Sequence, residues 1–260
     1  AIDWEDEDRT GIKTGLTHLD NLIGGFEKSN LIIIAGRPSM GKSSLAMQIA
    51  EHAAKHETVL IFSLEMSKRE IGTRMINFHK NRIGRAEALS HLYSLKLHIN
   101  DTPAIPLSRI RSHCKRLKRK EGLSMLVIDY LQLIRGSGDN RAQEVGAISR
   151  GLKAIAKEFN VPVVVLSQLS RRVEDRGDKK PVMSDLRDSG EIEQDADVIL
   201  FIYRDEVYNT IDSDYKGLAE IICRKNRNGP TGEVTTKFDG SITRFSDYLG
   251  EKIIPKPKIV

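Results

Sequence analysis

Short apolar runs alternate along this chain with longer segments in which apolar positions recur every three or four residues. The runs at 31–35, 59–64, 125–129, 161–168 and 197–203 are rich in Val, Ile and Leu, the composition of strands buried on both faces. Between them, 42–56 sets Leu45, Ile49 and Ala53 on one face. Residues 143–159 set Val145, Ile148, Leu152, Ile155 and Phe159 along one stripe, the helical period. A third helix, strongly basic, is predicted at 107–120 around Ile110, Cys114 and Leu117, and a further helical stretch at 86–93 leads into a short extended piece at 96–99. Ser67 followed by Glu70 has the spacing of a capping box and opens another helix. Residues 14–22 predict a short capped helix closed by the turn at Gly24-Gly25. The tail differs: 218–225 and 232–237 flank a turn at 226–231 and predict a β-hairpin.

Buried strands separated by helices need crossover connections. The pattern therefore predicts an α/β fold, a mostly parallel central sheet flanked by helices, with a C-terminal β-hairpin. In such sheets ligands bind beyond the carboxyl ends of the strands, so the residues that close each strand carry the chemistry.

Composition narrows the class. The chain has 260 residues, 39% hydrophobic and 30% charged, which suits one large soluble domain or two small ones. No apolar run approaches the roughly 18 residues of a membrane helix, and no signal peptide is visible. Cys114 and Cys223 match no metal spacing and read as reduced thiols of a cytosol. A net charge of +5 permits a polyanionic partner without demonstrating one. The chain opens on Ala1 with an acidic stretch at 3–8, which suggests a fragment: a linker or tail over 1–13 ahead of one domain over 14–260.

The first strand end reads Gly36-Arg37-Pro38-Ser39-Met40-Gly41-Lys42-Ser43, a G-x-x-x-x-G-K-S loop between a strand and a helix. Its glycines let backbone N–H groups cradle phosphates; Lys42 is expected to reach the β/γ-phosphates and Ser43 to ligate Mg²⁺. Asp129 closes the 125–129 strand, as a Mg²⁺ carboxylate or as a plain helix cap. Glu65 follows the second strand, as a general base or as a surface acid near a helix start; the phosphate loop favours the base. Gln168 ends 161–168, where an amide can hydrogen-bond a γ-phosphate or the attacking water.

Further along stand Thr14-Gly15-Leu16, Gly24-Gly25-Phe26, Ser63-Leu64-Glu65-Met66-Ser67, Ile128-Asp129-Tyr130-Leu131-Gln132, Ser167-Gln168-Leu169-Ser170, Leu186-Arg187-Asp188-Ser189-Gly190, Ile192-Glu193-Gln194-Asp195-Ala196-Asp197 and Lys225-Asn226-Arg227-Asn228-Gly229-Pro230. With the phosphate loop, in this order, they resemble the C-terminal motor domain of DnaB-type replicative hexameric helicases, bacterial or phage, from about Gly11 to Phe245. The resemblance implies a RecA-like P-loop NTPase that uses ATP with Mg²⁺, translocates 5′→3′ on single-stranded DNA and unwinds duplex at the fork. It also implies a ring hexamer in the full-length protein with ATP sites between subunits, a helicase loader and a primase as partners, no membrane, and a cytoplasmic, nucleoid-associated location. The family's N-terminal collar lies outside this chain.

By the family pattern Glu65 is the catalytic base, Asp129 the Walker B acid, Gln168 the γ-phosphate sensor, and Lys225 with Arg227 the basic pair that acts on a neighbour's site. Two residues apart on a strand, that pair would share one face. Arg187, Asp188 and Gly190 match the family's DNA-backbone loop, and the 136–141 loop with Arg141 is a second candidate for the channel wall. Neither loop carries aromatic residues, which favours a grip on phosphates over stacking on bases. The seven Lys/Arg of 109–120 read first as a solvated face, and 171–180 as a mobile polar loop. Two other readings compete: a RecA-type recombinase ATPase, disfavoured by the 225–230 hairpin and the 186–190 loop, and a non-catalytic ATP-dependent DNA-binding scaffold, which would need neither Glu65 nor Gln168.

Overall fold

The computed structural model describes residues 11–134, 140–186, 190–211 and 213–250. Six parallel strands carry the apolar runs: β1 (Leu31–Gly36), β2 (Val59–Ser63), β3 (Leu97–Asn100), β4 (Met125–Asp129), β5 (Val163–Gln168) and β6 (Val198–Tyr203). Three antiparallel strands extend them: β7 (Leu218–Asn226), β8 (Gly232–Asp239) and β9 (Arg244–Asp247). Among the described residues they form one sheet in the order β3-β2-β4-β5-β1-β6-β7-β8-β9. The helices are α1 (Thr17–Ile23), α2 (Lys42–Ala53), α3 (Lys68–Ile83), α4 (Arg85–Ser94), α5 (Leu107–Lys120), α6 (Arg141–Phe159), α7 (Gly190–Asp195) and α8 (Asp205–Tyr208).

The pleat of the central strands sorts their side chains into two cores. Leu31, Ile33 and Ala35 face α5, α6 and α7; Ile32 and Ile34 face α1 and α2. β6 repeats the division, with Ile199 and Phe201 on the first side and Leu200 and Ile202 on the second. Burial on both faces is why these runs show no alternation with polar residues. Each such Ile or Leu contributes about 1.5–3 kcal/mol by leaving water.

Four details differ from the sequence-based expectation. The hairpin is a three-stranded meander, because β9 pairs with β8 through Phe238 opposite Phe245. Helix α1 is capped from afar: Thr17 N and His18 N donate to the Asp247 carboxylate at 3.0 and 3.2 Å. Ile12 exchanges two 2.9 Å backbone hydrogen bonds with Phe26, so the fold reaches back ahead of residue 14. Segment 171–180 is pinned rather than loose: Arg176 donates to Asp185 at 2.8 and 2.9 Å, and Lys180 pairs with Glu220. Ser67 and Glu70 do form the reciprocal capping box that opens α3.

Candidate functional site

Because β1, β2, β4 and β5 run parallel and in register, their carboxyl ends share one edge. Gly36 lies beside Gln168, and Ser63 beside Asp129. The loop leaving β1 turns sharply into α2, with Ser39 at φ 66° and Gly41 at φ 96°. Gly41 is required on two grounds: its φ is left-handed, and a Cβ there would come within 2.9 Å of the Phe245 ring. Lys42 Nζ donates to the Arg37 carbonyl at 3.0 Å. Burial lowers the Lys42 ammonium to about 8, only partly offset by the negative charges of Asp129 and Glu65. A buried cation so weakly supported is a site built to receive an anion.

Asp129 is buried and accepts a hydrogen bond from the Ser43 hydroxyl. Burial pushes its carboxyl above the ordinary range; the Ser43 bond opposes this, and the nearby Glu65 charge adds to it. Its Oδ2 is buried with no hydrogen-bond partner among the described residues. Glu65 stands exposed at the same edge, close enough for its charge to act on Lys42, Asp129 and Tyr130. Glu65 and Asp129 therefore converge with Gln168 on one phosphate loop.

Arg37 behaves differently from its loop neighbours. Its guanidinium donates to Glu174 at 2.8 Å and to the Leu169 carbonyl at 2.9 Å, so it anchors the loop from behind. Arg141 donates to the Gln132 carbonyl at 2.7 Å and pairs with Glu144 at 2.5 Å, closing the base of the segment before α6. Gly190 is exposed at the start of α7; Arg187, Asp188 and the 135–139 part of the second loop lie outside the described residues.

Lys225 and Arg227 do share one side, although Arg227 lies just past the end of β7. Both reach the carbonyls at the end of α7: Lys225 Nζ to Glu193 at 2.5 Å, and Arg227 Nη2 to Gln194 at 2.5 Å. Burial and the neighbouring Arg227 charge lower the Lys225 ammonium below its ordinary value. The pair sits opposite the start of β6, where Lys225 faces Ile199 and Asn226 faces Val198. At about 3.3 Å per residue, a strand such as β6 separates this end from the phosphate-loop edge by roughly 16–20 Å.

Two groups at the phosphate edge escaped the sequence reading. Gln132 donates from Nε2 to the Ser167 hydroxyl at 3.1 Å, joining the ends of β4 and β5. Arg204, the residue that follows β6, donates to the Ser39 carbonyl at 2.9 Å and lies 3.9 Å over the Phe238 ring. The strand-end rule applied to 197–203 would have found Arg204. Beside it opens a cavity of about 750 Å³ lined by Arg204, Glu206, Lys216, Lys237 and Phe238, a volume in the range of small-molecule sites.

Comparison with known proteins bears on this geometry. The model of the DnaB-like helicase C terminal domain matches residues 11–247. The replicative DNA helicase DnaB of Geobacillus stearothermophilus is 50% identical over 260 residues, covering 92% of this chain and 57% of that protein. The chain thus spans little more than half the length of the curated relatives it matches. Two solved structures, one an isolated ATPase domain and the other a DnaB-like replicative helicase described with its interactions with primase, each share 36% identity and a TM-score of 0.87 over 95% of this chain. They are covered to 94% and 64% of their own lengths. The RadB recombinase aligns over 91% of this chain and 99% of its own at 20% identity and a TM-score of 0.63, a likeness of RecA-like fold alone. With a phosphate loop, three strand-end polar groups and a basic hairpin all in place, the chain belongs to the family of DnaB-like helicase C-terminal domains.

Proposed function

We propose that this chain is the ATP-hydrolysing motor of a replicative DNA helicase, drawn 5′→3′ along single-stranded DNA, with each ATP site completed by a neighbouring copy in a ring. The observation that carries the reading is spatial. Lys42, Glu65, Asp129 and Gln168 share one sheet edge, while Lys225 and Arg227 stand about a strand's length away at the other end. The basic pair is out of reach of its own phosphate loop, and a second copy is the natural recipient.

The residues divide the chemistry as follows. Backbone N–H groups of the 36–43 loop hold the phosphates, and Lys42 exchanges the Arg37 carbonyl for β/γ-phosphate oxygens. The nucleoside occupies the cavity at Arg204 and Phe238. Glu65 takes the proton of the attacking water, and Gln168 bonds the γ-phosphate. The Ser43 hydroxyl with the spare Asp129 oxygen fits Mg²⁺, a hard cation that prefers oxygen ligands. Bound there with ATP, Mg²⁺ neutralises phosphate charge. Lys225 and Arg227 supply positive charge to the neighbour's γ-phosphate, the part an arginine finger plays.

Coupling to DNA has a short physical route. Leu169 pairs with Leu186, and Ser170 N donates to the Asp185 carbonyl at 2.8 Å. A displacement of Gln168 on phosphate release is passed directly to the segment carrying Arg187, Asp188 and Gly190, which grips the DNA backbone, with Arg141 on the adjoining wall. Such an activity belongs in the cytoplasm of a bacterial cell or phage-infected host, with a loader and a primase as partners. ATP turnover per chain, measured against protein concentration with and without single-stranded DNA, tests the reading. A steep rise with concentration, raised further by DNA, is expected; a flat rate that ignores DNA would contradict it.

A further inference from the structure

Away from the nucleotide edge, three potential metal ligands converge from three helices. Glu51 comes from the last turn of α2, His79 from α3 and His91 from α4, and their ligand atoms all lie within 4.8 Å of one another. Glu51 is buried at 4% exposure, a costly place for a carboxylate. Its Oε2 is taken by Arg244, and its Oε1 meets His79 Nε2. His91 Nε2 lies 3.6 Å from the same Oε1, beyond hydrogen-bond reach, and is itself buried with no partner among the described residues. The two imidazole rings stand 4.6 Å apart. Packing of an ordinary buried His–Glu pair accounts for His79; it leaves the His91 nitrogen unexplained.

We infer that Glu51, His79 and His91 form a Zn²⁺ site that staples the α3–α4 pair to the phosphate-loop helix. Two imidazoles and one carboxylate are a zinc ligand set, and unlike the oxygen-only surroundings that Mg²⁺ selects. Ligands around tetrahedral Zn²⁺ at about 2.0–2.2 Å sit roughly 3.3–3.5 Å apart, close to the His91–Glu51 spacing already present. Glu51 gives Oε1 to the metal and keeps Oε2 on Arg244, whose guanidinium is held 3.9 Å over the Phe78 ring. This outer contact orients the carboxylate as second partners of metal ligands do. The fourth position is left for water. α2 begins with Lys42 and Ser43, and α3 begins just after Glu65, so the staple fixes the two helices that frame the site. The inference is independent of nucleotide chemistry.

The test uses the chelator-treated chain, without nucleotide or Mg²⁺, titrated with Zn²⁺ or with Co²⁺ as a spectroscopic stand-in. Expected is one Co²⁺ per chain with the intense visible bands of a tetrahedral site, displaced by Zn²⁺. His79→Asn and His91→Asn should each weaken binding by more than the roughly 10–100-fold lost with an outer-shell partner, whereas His113→Asn should leave it unchanged. Zn²⁺ should raise the Tm of the wild-type chain and not that of His91→Asn. Absence of a saturable one-equivalent band in the wild type would overturn the site. So would equal binding by all three variants.

Discussion

At the scale of the residue, the central question is what each buried charge is waiting for. Lys42 is held near the Arg37 carbonyl with its ammonium lowered to about 8, and Asp129 keeps an oxygen buried without a partner among the described residues. Both are costs of folding that phosphate and a cation relieve. Glu65 is exposed at the phosphate edge, the position of a base that must reach water. Glu65→Gln is therefore expected to bind ATP as the wild type does and to lose about 10²–10⁴-fold in turnover, the usual worth of a general base. Nucleotide affinity and steady-state hydrolysis measured on the same preparation check it. The buried thiols make a separate prediction. Burial pushes Cys114 up to about 12 and Cys223 to about 11, so both stay protonated in the folded chain. An unfolded thiol ionises near 9, so these groups stabilise the protonated fold increasingly as pH rises from about 9, where only the unfolded chain would give up the proton at a gain. That gain belongs to the unfolded state: stability is fully kept below pH 9 and falls as pH climbs towards 11–12. Denaturant midpoints across that window should fall, and iodoacetamide at about pH 8, below the ordinary thiol range, should label neither cysteine before unfolding.

The strand-end residues were legible in the sequence because a parallel sheet puts every strand terminus at one edge, whatever lies between. Gly36, Asp129 and Gln168 followed from that rule alone, and Arg204 was available to it. Glu51, His79 and His91 were not legible: they sit on three separate helices, with no motif to join them, and only the tertiary packing of α2 against α3 and α4 brings them together.

At the scale of the element, boundaries followed hydrophobic period closely where both faces are buried, as in Met125–Asp129, and where one stripe is, as in Leu107–Lys120. The pattern was weakest for β9, whose four residues contain a single apolar side chain, Phe245. That strand matters out of proportion to its length. Phe245 packs edge-on against Phe238 at 4.8 Å, closes on Gly41, and carries Asp247 to the first turn of α1. Asp247→Ala removes a remote helix cap and should cost about 0.5–2 kcal/mol, read as a lower urea midpoint with an unchanged m-value. Its carboxyl is held below the ordinary range: burial raises it, and the Thr17 and His18 amides more than compensate. The stabilisation is thus present above about pH 4 and is lost as pH falls. Gly41→Ala should be harsher, since strain at a left-handed φ adds to the ring contact; a strong loss of nucleotide binding is expected by titration calorimetry.

At the scale of the whole molecule, the sheet works as a ruler. Its phosphate edge and its basic hairpin are separated by about one strand length, too far for a single copy to use both on one ATP. Head-to-tail contact between identical chains, the geometry that closes into rings, joins the hairpin of one copy to the phosphate edge of the next. A mixing experiment tests this most directly. Lys42→Ala lacks the phosphate contact, and Arg227→Ala lacks the contribution to its neighbour; each alone should be nearly inactive in DNA-stimulated ATP hydrolysis. In an equal random mixture, about a quarter of head-to-tail interfaces pair an intact phosphate loop with an intact hairpin, and hydrolysis should recover to that order. A mixture no more active than its two components would contradict ATP sites shared between copies.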